Sequence, residues 1–279
     1  MSRESPSGDG SPDADPPFDP PLALASLSGE SDAAWARAAA DLVGAAIMGG
    51  IAIDDRTREA AREMVADRDR AEFLPEDPLA FVDRQLAALA DVPLRAGFNV
   101  RTTTLGPLRE AAAICADRDA ILEVNAHCRQ TELCGVGAGE TLLRDGERLR
   151  EYVRTAASEG ATVSVKVRAE VPGVDLADLA AGLDAAGADL LHVDAMDDEP
   201  SVERVADAVD CAVIANNGVR DRATVAEYLD YGADAVSVGR PSDDRRVLRR
   251  VRAAVEDLID PGSGSPRTGS GGRSRNESF

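Results

Sequence analysis

Lysine is almost missing from this 279-residue sequence: of its 31 basic side chains 30 are arginine, and Lys166 is the single exception. Cysteine is also scarce. Four cysteines in a chain of this length exclude a small disulfide-stapled scaffold. Because no charged, then apolar, leader pattern follows Met1, they point to a reducing cytoplasm. Long apolar runs are lacking as well. The longest, Leu42 to Ile53, has 12 residues with Gly44, Gly49 and Gly50 inside it, short of the roughly 18 that span a bilayer. No membrane segment is expected. Positive charge is in deficit, with 51 acidic residues giving a net charge of −20. That balance speaks against a broad nucleic-acid patch, since phosphate contacts rely on Arg and Lys and weaken with salt. It is the composition of a halophilic cytosolic protein, whose carboxylates repel one another little where the Debye length is about 3 Å.

What is present is a core. The 44% hydrophobic content and a length near the roughly 250 residues of a (β/α)8 barrel fit one globular domain. Proline, glycine, serine and aspartate dominate residues 1–20, and glycine, serine and arginine dominate 261–279, so both read as disordered tails flanking a single domain at 21–260. Between them apolar runs at 22–27, 45–53, 94–101, 120–126, 162–168, 189–195, 211–216 and 235–239 alternate with amphipathic helical patterns. Eight such units predict an α/β closed TIM barrel, with a doubly wound open sheet as the competing architecture. The connection from Asp54 to Pro93 is long enough for two helices, and the stretch 139–158 reads as one.

Barrel enzymes carry their working groups at the C-terminal ends of the strands. There stand Glu123, Asn125, His127 and Cys128, then Lys166 and Arg168, His192 and Asp194, Asn216, Asn217 and Gly218, and Gly239 and Arg240. The one ammonium in a chain that otherwise uses guanidinium sits in a β-branched strand, where a compact point charge serves a small acceptor that a planar fork does not fit. A barrel lysine salt-bridged to a strand-end carboxylate is the alternative. Gly218, Gly239 and Arg240 occupy the turns after the last two strands, the habitual phosphate position of barrels. Cys128, at the mouth, is a thiol that can donate a proton. His127, Cys128 and Cys134 are alternatively three metal ligands, but they lack a fourth ligand and a CxxC spacing, so no metal is expected. Cys115, Cys211 and His192 read as core residues, and Trp35 as packing.

Taken in order, Asn125-x-x-Cys128, the Gly137-Ala138-Gly139 segment with Leu142-Leu143, Lys166-x-Arg168, Asn217-Gly218 and Gly239-Arg240 resemble the FMN-dependent tRNA-dihydrouridine synthases and their archaeal barrel relatives, and beyond them the dihydroorotate dehydrogenase barrels. The resemblance covers residues 22 to about 250. It implies an FMN-dependent oxidoreductase that reduces the C5=C6 bond of a uracil-type pyrimidine, within tRNA or free, at the expense of NAD(P)H or another reductant. By that resemblance Asn125, Lys166, Asn217, Gly218, Gly239 and Arg240 bind flavin, with Arg168 and Asp194 beside them. Cys128 is the acid, and Lys166 stabilises negative charge on the flavin or the ring carbonyl. Ala25 and Ser26 lie against the isoalloxazine, and Asn99 makes the strand-three contact unless the alignment slips by two to Arg101. The chain departs from the pattern with His127 and Arg129 around the cysteine, where the family has glycine and proline. Asp194 and Met196 replace a His-x-Arg element, and only a Gly/Ser tail stands where the synthases carry a helical RNA-binding domain. A related flavoenzyme acting on a free small substrate, and a barrel that binds a phosphorylated ligand without redox chemistry, are the competing functions.

Overall fold

The computed structural model describes residues 17–68 and 71–259. Residues 1–16 of the first predicted tail and all of the second, 261–279, lie outside the described residues. Eight parallel strands close in sequence order, each paired with the next and β8 with β1. They are β1 (Leu22–Leu24), β2 (Ala45–Ala52), β3 (Arg95–Arg101), β4 (Ile121–Asn125), β5 (Thr162–Arg168), β6 (Leu190–Asp194), β7 (Ala212–Asn216) and β8 (Ala235–Val238). The open sheet is thereby excluded. Outside run α1 (Ala33–Ala38), α2 (Asp55–Arg68), α3 (Pro78–Ala87), α4 (Leu105–Asp117), α5 (Thr131–Gly135), α6 (Glu140–Arg144), α7 (Gly146–Ser158), α8 (Leu176–Asp184), α9 (Ser201–Ala206), α10 (Arg222–Asp230) and α11 (Arg245–Ile259). A 3-10 turn, Arg240–Asp243, leads into the last helix. No helix of the described residues is long and apolar enough to cross a membrane.

The near-continuous Val, Ile, Leu and Ala content of the strands follows from burial on both faces. Alternate residues face the helices or the barrel axis. The helices begin where short acids can satisfy orphan amides: Asp32, Asp77, Asp175 and Asp221 each accept from a first-turn N–H, Asp221 within a capping box. The stretch read as one helix from 139 to 158 is broken, because Asp145 leaves the helical conformation at φ −99° and ψ 71° and caps α7 by accepting from the Arg148 amide. α5 was hidden in a glycine-rich stretch.

Inside the barrel the lower end is plugged by apolar side chains, among them Ala23, Ala45, Ile47, Ile121, Leu190 and Ile214. Phe18 joins that plug and is buried. Packing of the barrel therefore takes in a residue that the sequence reading puts in the tail. Above the plug the axis turns polar, and everything chemical lies there.

Candidate active site

Strand register builds the site. Pairing places Asn125 of β4 beside Lys166 of β5, and Lys166 beside His192 of β6. Arg168 pairs likewise with Asp194, and Asp194 with Asn216. Above them the strand ends and their loops enclose a cavity of about 930 Å³. Of the residues singled out in the sequence, Ala25, Ser26, Asn125, Cys128, Lys166, Arg168, Asp194, Asn217, Gly218, Gly239 and Arg240 all line it. Asn99 does not. It is fully buried one layer lower, and Arg101, two residues on and on the same face of β3, reaches the cavity wall instead.

Beneath the cavity runs a hydrogen-bonded layer that crosses the whole barrel. The Cys128 amide donates to Asn125 Oδ1 at 3.2 Å, Asn125 Nδ2 to Asn99 Oδ1 at 2.8 Å, and Asn99 Nδ2 to Glu123 Oε1 at 2.7 Å. The other Glu123 oxygen lies 2.7 Å from His192 Nδ1 and accepts from Ser164 Oγ at 3.2 Å. His192 Nε2 is 2.8 Å from Ser237 Oγ, which is 3.0 Å from Asn216 Oδ1. Glu123 and His192 are wholly inaccessible.

Burial works against the Glu123 carboxylate, but the His192 ring, the Lys166 charge and the Asn99 hydrogen bond outweigh it and lower its pKa from 4.5 to about 2. Burial and the Lys166 charge push His192 below its usual value, against the pull of Glu123. We therefore read this ring as neutral, its Nδ1–H donating to the carboxylate and its Nε2 accepting from Ser237. His127, half-buried at the cavity wall, is pushed well below 6.5 by burial and by the charges of Lys166, Arg101 and Arg168.

A measurable consequence follows for stability. A histidine held neutral by the fold has a folded pKa below its unfolded one, so its contribution is complete above about pH 6.5 and is lost as pH falls below that value. The thermal midpoint is expected to fall on acidification from pH 7, with His192 contributing at most about 1.4 kcal/mol per pH unit. His192→Gln should flatten that part of the profile. An unchanged slope in the variant would show that His192 is not the group being titrated.

Lys166 itself is only 2% exposed, lines the cavity, and has no hydrogen-bond or ion-pair partner among the described residues. A buried ammonium of this kind, balanced only at longer range by Glu123, presents its donors to whatever occupies the cavity. Arg168 pairs with Glu140 at 3.2 Å and Arg101 with Glu72 at 2.7 Å, the latter pair almost fully buried. Arg101 also donates to Ser28 Oγ. Glu72 and the cavity-lining Ala71 belong to the long connection after β2, which holds the two expected helices, α2 and α3, and brings these two residues to the mouth.

On the opposite side Gly239 has no neighbour within 4 Å of where a Cβ would stand, and its φ is not positive. The glycine leaves space open toward the cavity. No acceptor among the described residues takes the backbone amides of Gly218, Val219, Gly239 or Arg240. Four unspent N–H groups and the Arg240 guanidinium around an open glycine suit an anion such as a phosphate. Six cations and two carboxylates line the cavity of a chain whose net charge is −20.

The cysteine loop is fixed by backbone. Gly139, at φ 57°, approaches so closely that a Cβ would lie 2.2 Å from the Cys128 carbonyl oxygen, which accepts from the Glu140 amide at 2.8 Å. Among the described residues no three His, Cys, Asp or Glu side chains gather as a metal-binding group. In the alternative ligand set Cys134 instead directs its sulfur to the Cys128 carbonyl, 3.4 Å away. Cys115 is buried in the core and Cys211 packs against it, burial pushing both thiols up to about 12.

Fold and site together define a (β/α)8 barrel with an arginine-lined cavity and a buried ammonium at its floor. The chain belongs to the dihydrouridine synthase family, whose model matches residues 100–261. An uncharacterized protein of Methanocaldococcus jannaschii is 27% identical over 234 residues, covering 80% of this chain and 89% of that one. Among solved structures, FabK from Thermotoga maritima aligns at a TM-score of 0.54 and 16% identity over 80% of this chain and 58% of its own. A mandelate oxidase variant aligns at 0.54 and 17% identity, covering 86% and 74%. A tryptophan synthase complex from Pyrococcus furiosus gives 0.53 and 14%, covering 87% and 98%. At these identities the likeness is one of fold. The chain spans under two thirds of the FabK chain.

Proposed function

We propose that the protein is a flavin-dependent oxidoreductase of dihydrouridine-synthase type, which binds FMN and reduces the C5=C6 bond of a uracil ring presented by RNA. The family match and the unpartnered Lys166 ammonium at the floor of the cavity carry this reading. The residues suit FMN. The amides of Gly218, Val219, Gly239 and Arg240 with the Arg240 guanidinium hold the phosphate, and Lys166, with Asn125 beside it, serves the ring. When bound, FMN supplies hydride chemistry that no side chain possesses, with NAD(P)H or another reductant as the electron source.

The chain's own part is orientation and proton supply. Asn125 is pinned from both sides, by Asn99 and by the Cys128 amide. The layer under Lys166 excludes water and fixes where the ammonium stands. Cys128 gives its thiol proton to C5 as hydride reaches C6: the S–H bond breaks, a C–H bond forms, and the charge left on sulfur faces Arg101, its electrostatic neighbour.

Titrating the purified chain with FMN tests this reading. Bound flavin should appear in the visible spectrum and survive gel filtration. Incubation with a reductant and a uridine-bearing RNA should then raise the mass of a uridine by two hydrogens. A colourless protein that takes up no flavin would leave only a phosphate-binding barrel, and reduction of free uracil compounds alone would move the substrate away from RNA.

A further inference from the structure

Many arginines on this acid-rich surface find carboxylates, among them Arg37 with Asp91, Arg118 with Asp83, Arg204 with Asp198 and Arg222 with Asp257, whereas Arg56, Arg84 and Arg129 are exposed singly with no ion pair among the described residues. Beside the cavity such arginines cluster. Arg240, Arg246, Arg249 and Arg250 are exposed and form no ion pair among the described residues. The last three share a face of α11 by their spacing of three and four residues. Neighbouring carboxylates are engaged otherwise: the Arg246 amide donates to Asp244 at 2.8 Å, Asp221 caps α10 and pairs with Arg220 at 3.8 Å, Asp257 holds Arg222, and Asp41, which Arg249 faces at longer range, holds Arg245.

The face is also held rigidly beside the cavity. Arg245 anchors the first turn of α11 to Asp41 at 2.5 Å, and Trp35 Nε1 donates to Ser242 Oγ at 3.2 Å in the turn before it. Arg250 donates from Nε and Nη2 to the carbonyl of Arg220, both at 3.3 Å. Arg240 and Arg220, the latter paired with Asp221 at 3.8 Å, line the cavity, so guanidinium groups run from its mouth outward over α11.

We propose that this α11 face, continued by Arg240, is the docking surface for the phosphate backbone of an RNA strand whose base enters the cavity. Guanidinium forks match phosphate oxygens pairwise. A row of them without a contacting carboxylate complements a chain of phosphates, and the excess acid elsewhere confines the RNA to this rim. The assignment rests on the cavity accepting a uracil ring. It runs counter to the expectation, drawn from net charge, that disfavours a broad nucleic-acid patch.

Fluorescence anisotropy with a labelled, uridine-bearing RNA hairpin tests it on the full chain, alongside Arg246→Glu/Arg249→Glu. The wild type should bind with a salt slope set by about 0.7–0.9 per phosphate contact. The variant should bind at least tenfold more weakly with a shallower slope, while its FMN titration is unchanged. Unaltered RNA affinity in the variant would overturn the proposal, as would a wild type that binds no RNA at low salt. Competition by polyglutamate as effective as by unlabelled RNA would also overturn it and indicate an acidic protein partner. A chain that binds RNA through this face yet takes up no FMN would retain the docking surface and remove the cavity reading.

Discussion

Cys128→Ala is expected to slow reduction of the uracil ring by about 100-fold or more, the usual loss on removing a general acid, while FMN stays bound. The expectation is specific because the structure leaves no understudy. His127 adjoins Cys128 but is held well below its usual pKa by burial and by the cations around it, so a proton on that ring is scarce near neutral pH. Burial pushes the Cys134 thiol upward, and its sulfur points to the Cys128 carbonyl. The backbone ties of Cys128, its amide to Asn125 and its carbonyl to the Glu140 amide, do not involve the side chain and survive the substitution. Serine restores a hydroxyl but not an acid of comparable strength, so Cys128→Ser should stay near the alanine rate. Single turnover from the pre-reduced enzyme, monitored by flavin absorbance, checks this. A Cys128→Ala rate within a few-fold of wild type would take the proton from another source.

How much of this was legible beforehand depended on whether a residue carries its own signal. The eight strands were, because each is a short apolar run between helical stretches. Lys166, Gly218, Gly239 and Arg240 were too, because a lone ammonium inside a strand and glycines after the last two strands are odd in local terms. Chain ends and breaks were not. Nothing local marks Phe18 as the plug of a barrel, and the break at Asp145 is decided by the Asp145 side chain capping α7 rather than by the periodicity around it. The polar layer was half visible. Asn99, Glu123, Ser164, His192 and Ser237 each stand two residues before Arg101, Asn125, Lys166, Asp194 and Gly239, and period two would have sent both members of each pair to the axis. Which layer each occupies depends on how the strands stagger around the closed barrel, a long-range quantity. Asn99 and Arg101 were therefore the pair the sequence left ambiguous. The arginine face of α11 was hidden by summing charge over the whole chain.

Glu123→Gln should do more damage than its conservative geometry suggests. Glutamine fills the same volume but removes the negative charge that balances Lys166 in a layer closed to solvent, and one amide cannot accept from Asn99, Ser164 and His192 as two carboxylate oxygens do. Breaking a contacting buried ion pair from one side costs about 3–5 kcal/mol; with the two charges apart that figure is an upper bound on the loss that denaturant unfolding at pH 7 should show. The pH dependence has a definite sign. A carboxyl lowered from 4.5 to about 2 on folding contributes stability that is present above about pH 4.5 and disappears as pH falls toward 2. The gap between wild type and Glu123→Gln should therefore narrow through that window. Adding Lys166→Met removes the stranded cation, and the double variant should regain much of the lost stability while failing to retain FMN, which separates the structural role of the pair from its role toward the ligand. Wild-type stability of Glu123→Gln at pH 7, or a double variant no more stable than the single one, would mean that Lys166 does not depend on Glu123. Recovery of the fold without recovery of flavin would instead account for why a buried carboxylate lies at the centre of the barrel: its charge balances, at a distance, the ammonium that faces the cavity.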